Sequence, residues 1–125
     1  MKELEYPFDS SFLLQKRRKL KKALLADGSA RMEKRIAVLG GSTTSDIVSM
    51  LELFLLNCGI QPVFYQSEYA QYWQDAMFDA PELAAFQPDL IFIHTTSRNI
   101  TEAPLPLSAS EQEVQDALER QYTHF

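Results

Sequence analysis

The stretch Arg35-Ile36-Ala37-Val38-Leu39-Gly40-Gly41-Ser42-Thr43-Thr44-Ser45-Asp46-Ile47 decides the fold. Its first five residues show no polar alternation after Arg35, which is the pattern of a parallel strand covered on both faces. It is expected to be the central strand. A glycine-rich, hydroxyl-rich turn follows, and from Thr44 onward Ile47, Leu51, Phe54, Leu55 and Cys58 recur at helical spacing until Asn57-Cys58-Gly59 ends the element with glycine as its cap. Strand, loop and amphipathic helix in that order begin a βαβ unit. On this spacing Cys58 is read as a small buried residue at the helix end.

Working outward, Val63-Phe64-Tyr65 is predicted as a second strand, made short by Pro62, which has no N–H to give a ladder and so belongs at a strand's first residue or on an edge. A helical stretch with Tyr69, Tyr72, Trp73, Ala76 and Met77 comes next, then a brief helix with Pro81 near its first position and Leu83 and Phe86 inward. Leu90-Ile91-Phe92-Ile93 is a third apolar strand, ending at His94. Strands alternating with helices imply a parallel sheet of order 2-1-3 with right-handed crossovers, a three-layer α/β architecture of the flavodoxin type. Ser110-Glu111-Gln112-Glu113 reads as a capping box opening a last helix, with Val114, Ala117, Leu118 and Tyr122 inward. Three strands leave the edge beside strand three open to another strand or subunit, so the sheet is expected to be incomplete at its C-terminal side and the chain to be part of a longer protein.

Upstream, Asp9 or Ser10 is a helix cap, Leu13, Leu20 and Leu24 fall on one face, and Asp27-Gly28 stops a helix of roughly Ser11 to Ala26. Residues 1–34 thus form a basic helical segment packing on an α/β domain of residues 35–125. Residues 1–35 hold ten of the twelve Lys and Arg against five acids, whereas residues 36–125 hold two bases against twelve acids. Lys16, Arg17, Arg18, Lys19, Lys21 and Lys22 could meet an acidic partner or simply face solvent, and the acidic remainder disfavours nucleic acid. With 125 residues, 46% of them apolar, the chain can build one core. No run approaches the roughly 18 apolar residues of a membrane span, and no signal-peptide layout is present at the N-terminus, so a cytoplasmic location is expected. A single cysteine excludes an internal disulfide and any paired-thiol metal site.

In a parallel sheet, ligands bind beyond the carboxyl ends of strands where the strand order reverses. Order 2-1-3 brings the loop Gly40 to Ser45 and the segment His94-Thr95-Thr96-Ser97-Arg98-Asn99 to that crevice. Three chemistries follow. Phosphate on the helix N-terminus is opposed by Asp46 and by the absence of either phosphate-loop glycine pattern. Ser42 is a candidate nucleophile at the strand-to-helix turn, with its own N–H, Gly41 and Asn99 as oxyanion donors and His94 as the candidate base. The third reading is binding without bond-making through Gly41, Thr43, Thr44, Ser97, Arg98 and Asn99, with Thr43, Thr44 or Ser45 capping the helix. Glu68 and Tyr69, beside Tyr65, Tyr72 and Trp73, are candidate pocket residues or core. No metal ligands are assigned.

The segments Arg35 to Thr44, Leu53 to Ile60, Tyr65-Gln66-Ser67-Glu68-Tyr69, Asp75-Ala76-Met77-Phe78-Asp79, and Pro88 to Thr95 with Arg98-Asn99-Ile100 together resemble the N-terminal domain of FkbH-like proteins, of haloacid-dehalogenase subfamily IIIC. The resemblance runs from Tyr6 to Ile100. It implies an SGNH-hydrolase-like domain followed by a magnesium-binding phosphatase-like domain. It also implies transfer of a glyceryl unit from a phosphorylated three-carbon intermediate to an acyl carrier protein in polyketide-type biosynthesis. The D-x-D-x-[TV] magnesium motif does not occur in this sequence, so magnesium is expected only in the phosphatase-like domain and no cofactor here. Where SGNH hydrolases carry Gly-Asp-Ser, this chain has Gly40-Gly41-Ser42, and their Gly-x-Asn-Asp block falls near Ser97-Arg98-Asn99-Ile100. Their Asp-x-x-His block is missing, since His124 is preceded at that offset by Gln121. The resemblance therefore implies an auxiliary domain, non-catalytic alone, partnered by the phosphatase-like domain and a carrier protein. A Ser42 esterase or acyltransferase and a free-standing interaction domain remain as alternatives.

Overall fold

A computed structural model describes residues 1–67, 72–77, 80–101 and 103–124. It divides into two compact units, Met1–His94 and Thr95–Phe125. The first helix belongs with the sheet because its leucines share a core with the helix that follows the central strand.

In the first unit, helix α1 (Ser10–Ala26) is capped by Asp9, whose carboxylate accepts the Phe12 N–H at 3.0 Å. Gly28, at φ 69°, turns the chain toward strand β1 (Met32–Gly40). Helix α2 (Ser45–Asn57) returns beneath the sheet and ends at Cys58 and Gly59, the latter at φ 82°. Strand β2 (Ile60–Gln66), short helices α3 (Tyr72–Met77) and α4 (Pro81–Phe86), and strand β3 (Leu90–His94) complete it. The sheet is parallel with order β2-β1-β3. Fold class and strand order are those expected, and Pro62 lies in an edge strand, where its missing N–H leaves no ladder donor unmet.

The register fixes which residues share a face. Ile36 pairs with Phe64 and Leu90, Val38 with Gln66 and Phe92, and Gly40 with His94, and this face meets Val48 and Leu55 of α2. On the opposite face Phe86 of α4 lies 5.6 Å from the Tyr65 ring and beneath the Arg35 guanidinium at 4.4 Å. A separate cluster of Leu4, Leu13, Leu20, Leu24, Leu53 and Leu56 joins α1 to α2. Arg31 reinforces that joint: its guanidinium donates to the Leu24 carbonyl at 2.6 Å and the Leu56 carbonyl at 3.0 Å, satisfying last-turn acceptors of both helices at once.

Three expected burials are not observed. On α2 the buried residues are Val48, Leu53 and Leu56, while Ile47, Leu51, Phe54 and Leu55 are half-buried. Eight of its thirteen residues are apolar, more than one helix face holds, so spacing alone does not select its core face. Cys58 is exposed, because the chain has already left the helix axis toward Gly59. In the second unit, helix α5 (Glu111–His124) carries the expected capping box, with Ser110 N–H to the Glu113 carboxylate at 2.7 Å and the reverse bond at 3.2 Å. Of its expected inward residues only Ala117 is buried, whereas Val114, Leu118 and Tyr122 are exposed. No helix among the described residues is long and apolar enough to cross a membrane.

Candidate functional site

The carboxyl end of β1 is held from both sides. On the β2 side the Gly40 N–H donates to Ser67 Oγ at 3.0 Å, and Ser67 N–H returns to the Val38 carbonyl at 3.0 Å. On the β3 side the Gly41 N–H donates to the His94 carbonyl at 2.9 Å, extending the ladder one residue past the strand. The loop then folds back over Gly40 so closely that a Cβ there would lie 2.4 Å from Thr44 Cγ2 and 2.8 Å from the Ser42 carbonyl oxygen. Only glycine fits without the loop moving.

Ser42 emerges half-buried at this edge, and its hydroxyl has no intramolecular hydrogen-bond partner among the described residues. His94 lies beside Gly40 on the α2 face, half-buried, its ring parallel to that of Phe92 at 6.5 Å. No hydrogen bond joins Ser42 to His94 among the described residues, so the pair shares a strand end without forming a nucleophile–base couple. The Gly41 N–H, expected as an oxyanion donor, donates to the His94 carbonyl. Thr44 occupies the cap position of α2, but makes no side-chain cap; its hydroxyl donates to Gln66 Oε1 at 3.5 Å and is buried. Thr43 is exposed.

In the second unit, Ser97, Arg98 and Asn99 form a single 3-10 turn. Thr96 caps it, accepting the Arg98 N–H at 3.3 Å, while Asn99 Oδ1 accepts the Thr96 N–H at 2.7 Å. The Asn99 carbonyl oxygen thus shapes its own turn. Glu68 and Tyr69 lie outside the described residues, as do Phe78 and Asp79 of the quoted resemblance. Tyr72 is buried, with Trp73 and Tyr65 half-buried, so these aromatics pack rather than stand open.

Sequence reasoning overlooked Ser67 and Gln66, which pin the loop through side-chain oxygens. Their signal was faint: a polar pair following an apolar strand also marks any strand end. Asp89, just before β3, accepts the Arg35 N–H at 2.8 Å and so ties the start of β3 to β1. Among the described residues no group of three or more His, Cys, Asp or Glu is gathered that could hold a metal ion.

No family model matches this chain, and no curated protein matches it. One solved structure does. It is the N-terminal part of the protein BF1531 from Bacteroides fragilis, described as containing a phosphatase domain complexed with Mg, at a TM-score of 0.59 and 19% identity. The match covers 86% of this chain and 28% of that one. At that identity the likeness establishes the α/β fold, and the chain spans less than a third of its neighbour's length.

Proposed function

We propose that this chain is the SGNH-like N-terminal domain of an FkbH-like protein, auxiliary to glyceryl transfer onto an acyl carrier protein. The fold neighbour supports the reading, since it too is an N-terminal part of a protein with a phosphatase domain. The observation that carries the auxiliary role is the Ser42 edge: a hydroxyl held at the switch point with no base hydrogen-bonded to it among the described residues, and with the Gly41 N–H committed to the His94 carbonyl. Such an edge suits binding a polar group more than cutting a bond. The magnesium chemistry belongs in this reading to the phosphatase-like domain.

The test is a loading assay with the full-length protein, magnesium, a phosphorylated three-carbon donor and the carrier, read by intact-protein mass. Loading should survive Ser42→Ala and fall when Asn99 or the β1 loop is altered. A second reading, a serine acyltransferase, draws on the same unpartnered hydroxyl. Labelling by a fluorophosphonate probe that vanishes in Ser42→Ala, together with lost loading, would move the assignment to that class. Failure of the full-length protein to load any carrier would remove the glyceryl reading altogether.

A further inference from the structure

Ile47, Met50, Leu51 and Phe54, apolar residues of α2 that are not fully taken into the core, line a groove of about 450 Å³ with Leu14 of α1 and Asp46. Beside it, Arg17, Arg18 and Lys21 line a second hollow of about 280 Å³ with Ser49, Glu52 and Leu53. The two share the same pair of helices. Leu14, Arg18 and Lys22 follow one another at four-residue intervals, one row along α1 that passes from apolar to cationic.

The neighbouring row of α1, nearer α2, is already paired. Arg17 faces Asp46 at 3.9 Å and Lys21 pairs with Glu52 at 2.7 Å, which neutralises the two cations nearest α2. Arg18, Lys19 and Lys22 are exposed and have no ion pair among the described residues. The face therefore offers an apolar trough continued by uncompensated positive charge. Solvent-facing apolar rows with a charged margin mark protein contacts, and a trough along two helices suits a helix laid into it.

We infer that the α1–α2 face is a docking groove for an acidic amphipathic helix of a partner protein. Its apolar residues fill the trough between Leu14 and Leu51, and acidic residues beyond one end meet Arg18 and Lys22. Charge complementarity chooses this occupant over a basic or neutral helix, and long-range attraction would speed its arrival. The inference deepens the partner half of the proposed function and rests on it for the expectation that a carrier protein is the natural occupant.

The test uses the full chain and a fluorescein-labelled designed helix with leucines at i, i+4 and i+7 followed by a glutamate cluster, read by anisotropy at low and high salt. A second helix with lysines replacing the glutamates is the control. Leu51→Asp should weaken binding at least ~10-fold, as loss of a central apolar anchor does. Arg18→Glu with Lys22→Glu should weaken it by about tenfold, mainly in the association rate and mainly at low salt. Leu14→Glu, on the other helix, guards against misfolding of a single variant, with circular dichroism checking each.

Equal binding of both peptides, no binding of the acidic one, or indifference to Leu51→Asp and Leu14→Glu would overturn the groove. So would a concentration-dependent dimer that Leu51→Asp dissolves, since the occupant would then be a second copy. Carrier binding that responds to the charge reversals and ignores the groove variants would overturn the groove while sparing the proposed function. Peptide binding at the groove without any carrier binding would do the reverse.

Discussion

The run Ile36 to Leu39 of β1 and the run Leu90 to Ile93 of β3 are both apolar, lie side by side in register, and have opposite surroundings. Ile36, Ala37, Val38 and Leu39 are 6%, 0%, 0% and 1% exposed, whereas Leu90, Ile91, Phe92 and Ile93 are 55%, 50%, 39% and 53% exposed. Composition does not separate them. Position does: β1 has a strand on each side and α2 below it, while β3 has β1 on one side and no further strand among the described residues on the other. An apolar run encodes the tendency to be covered, and the neighbours decide whether it is.

The comparison can be broken most forcefully by placing a charge at the same face of each strand. Val38→Asp buries a carboxylate with no partner and should cost about 4 kcal/mol or more, enough to abolish a cooperative transition in urea. Phe92→Asp, its register neighbour, should cost under about 1 kcal/mol, as exposed substitutions do. If the two proved equally damaging, β3 would have to be covered in solution by another chain or segment.

A smaller effect sharpens the contrast at the strand ends, where Gly40 faces His94. Gly40→Ala drives a Cβ into Thr44 and the Ser42 carbonyl and should cost about 1–3 kcal/mol by overpacking. His94→Ala should leave the unfolding midpoint nearly unchanged. Thr44→Ser in the Gly40→Ala background removes the closer of the two clashes and should return part of the loss, which a double-mutant cycle would register.

The smallest handle lies on the approach to β1. Asp27 accepts the Ser29 N–H at 2.9 Å and meets Arg31 at 3.2 Å. The backbone hydrogen bond from Ser29 first, then the Ser29 side chain and the Arg31 charge, hold its carboxyl below the ordinary aspartate value. The unfolded chain then binds the proton more readily. The contribution is complete above the ordinary aspartate pKa and disappears as pH falls through the lowered one. Thermal melts of wild type and Asp27→Asn should therefore differ slightly near neutrality and converge in strong acid.

Much of this molecule is legible in its residues. Pro62, Gly28, Gly59, Asp9 and the Ser110–Glu113 box each impose a local geometry that few other residues would, and the structure places all of them where that geometry is needed. The faces of α2 and α5 were less legible, for opposite reasons. In α2 the apolar residues spread beyond a single face, so Ile47 and Leu51 compete with Val48 and Leu53 for the interior. In α5 the pattern at Val114, Leu118 and Tyr122 is clean, but a periodic stripe states a preference and supplies no surface to meet it. At the candidate site the strand-to-helix edge was predictable from Gly40 to Ser45. The hydrogen bonds that occupy Gly41 and engage Ser67 depend on pairing between segments more than 20 residues apart in sequence, which no local pattern contains.

Arg31 has a consequence for how such a domain can change over time. It ties α1 to α2 through the carbonyl oxygens of Leu24 and Leu56, and carbonyl oxygens are supplied by any residue. The clamp is indifferent to the side chains around it. Residues lining the outer face of the helix pair can therefore be exchanged freely while the two helices keep their mutual placement, leaving a fixed frame with a replaceable contact surface.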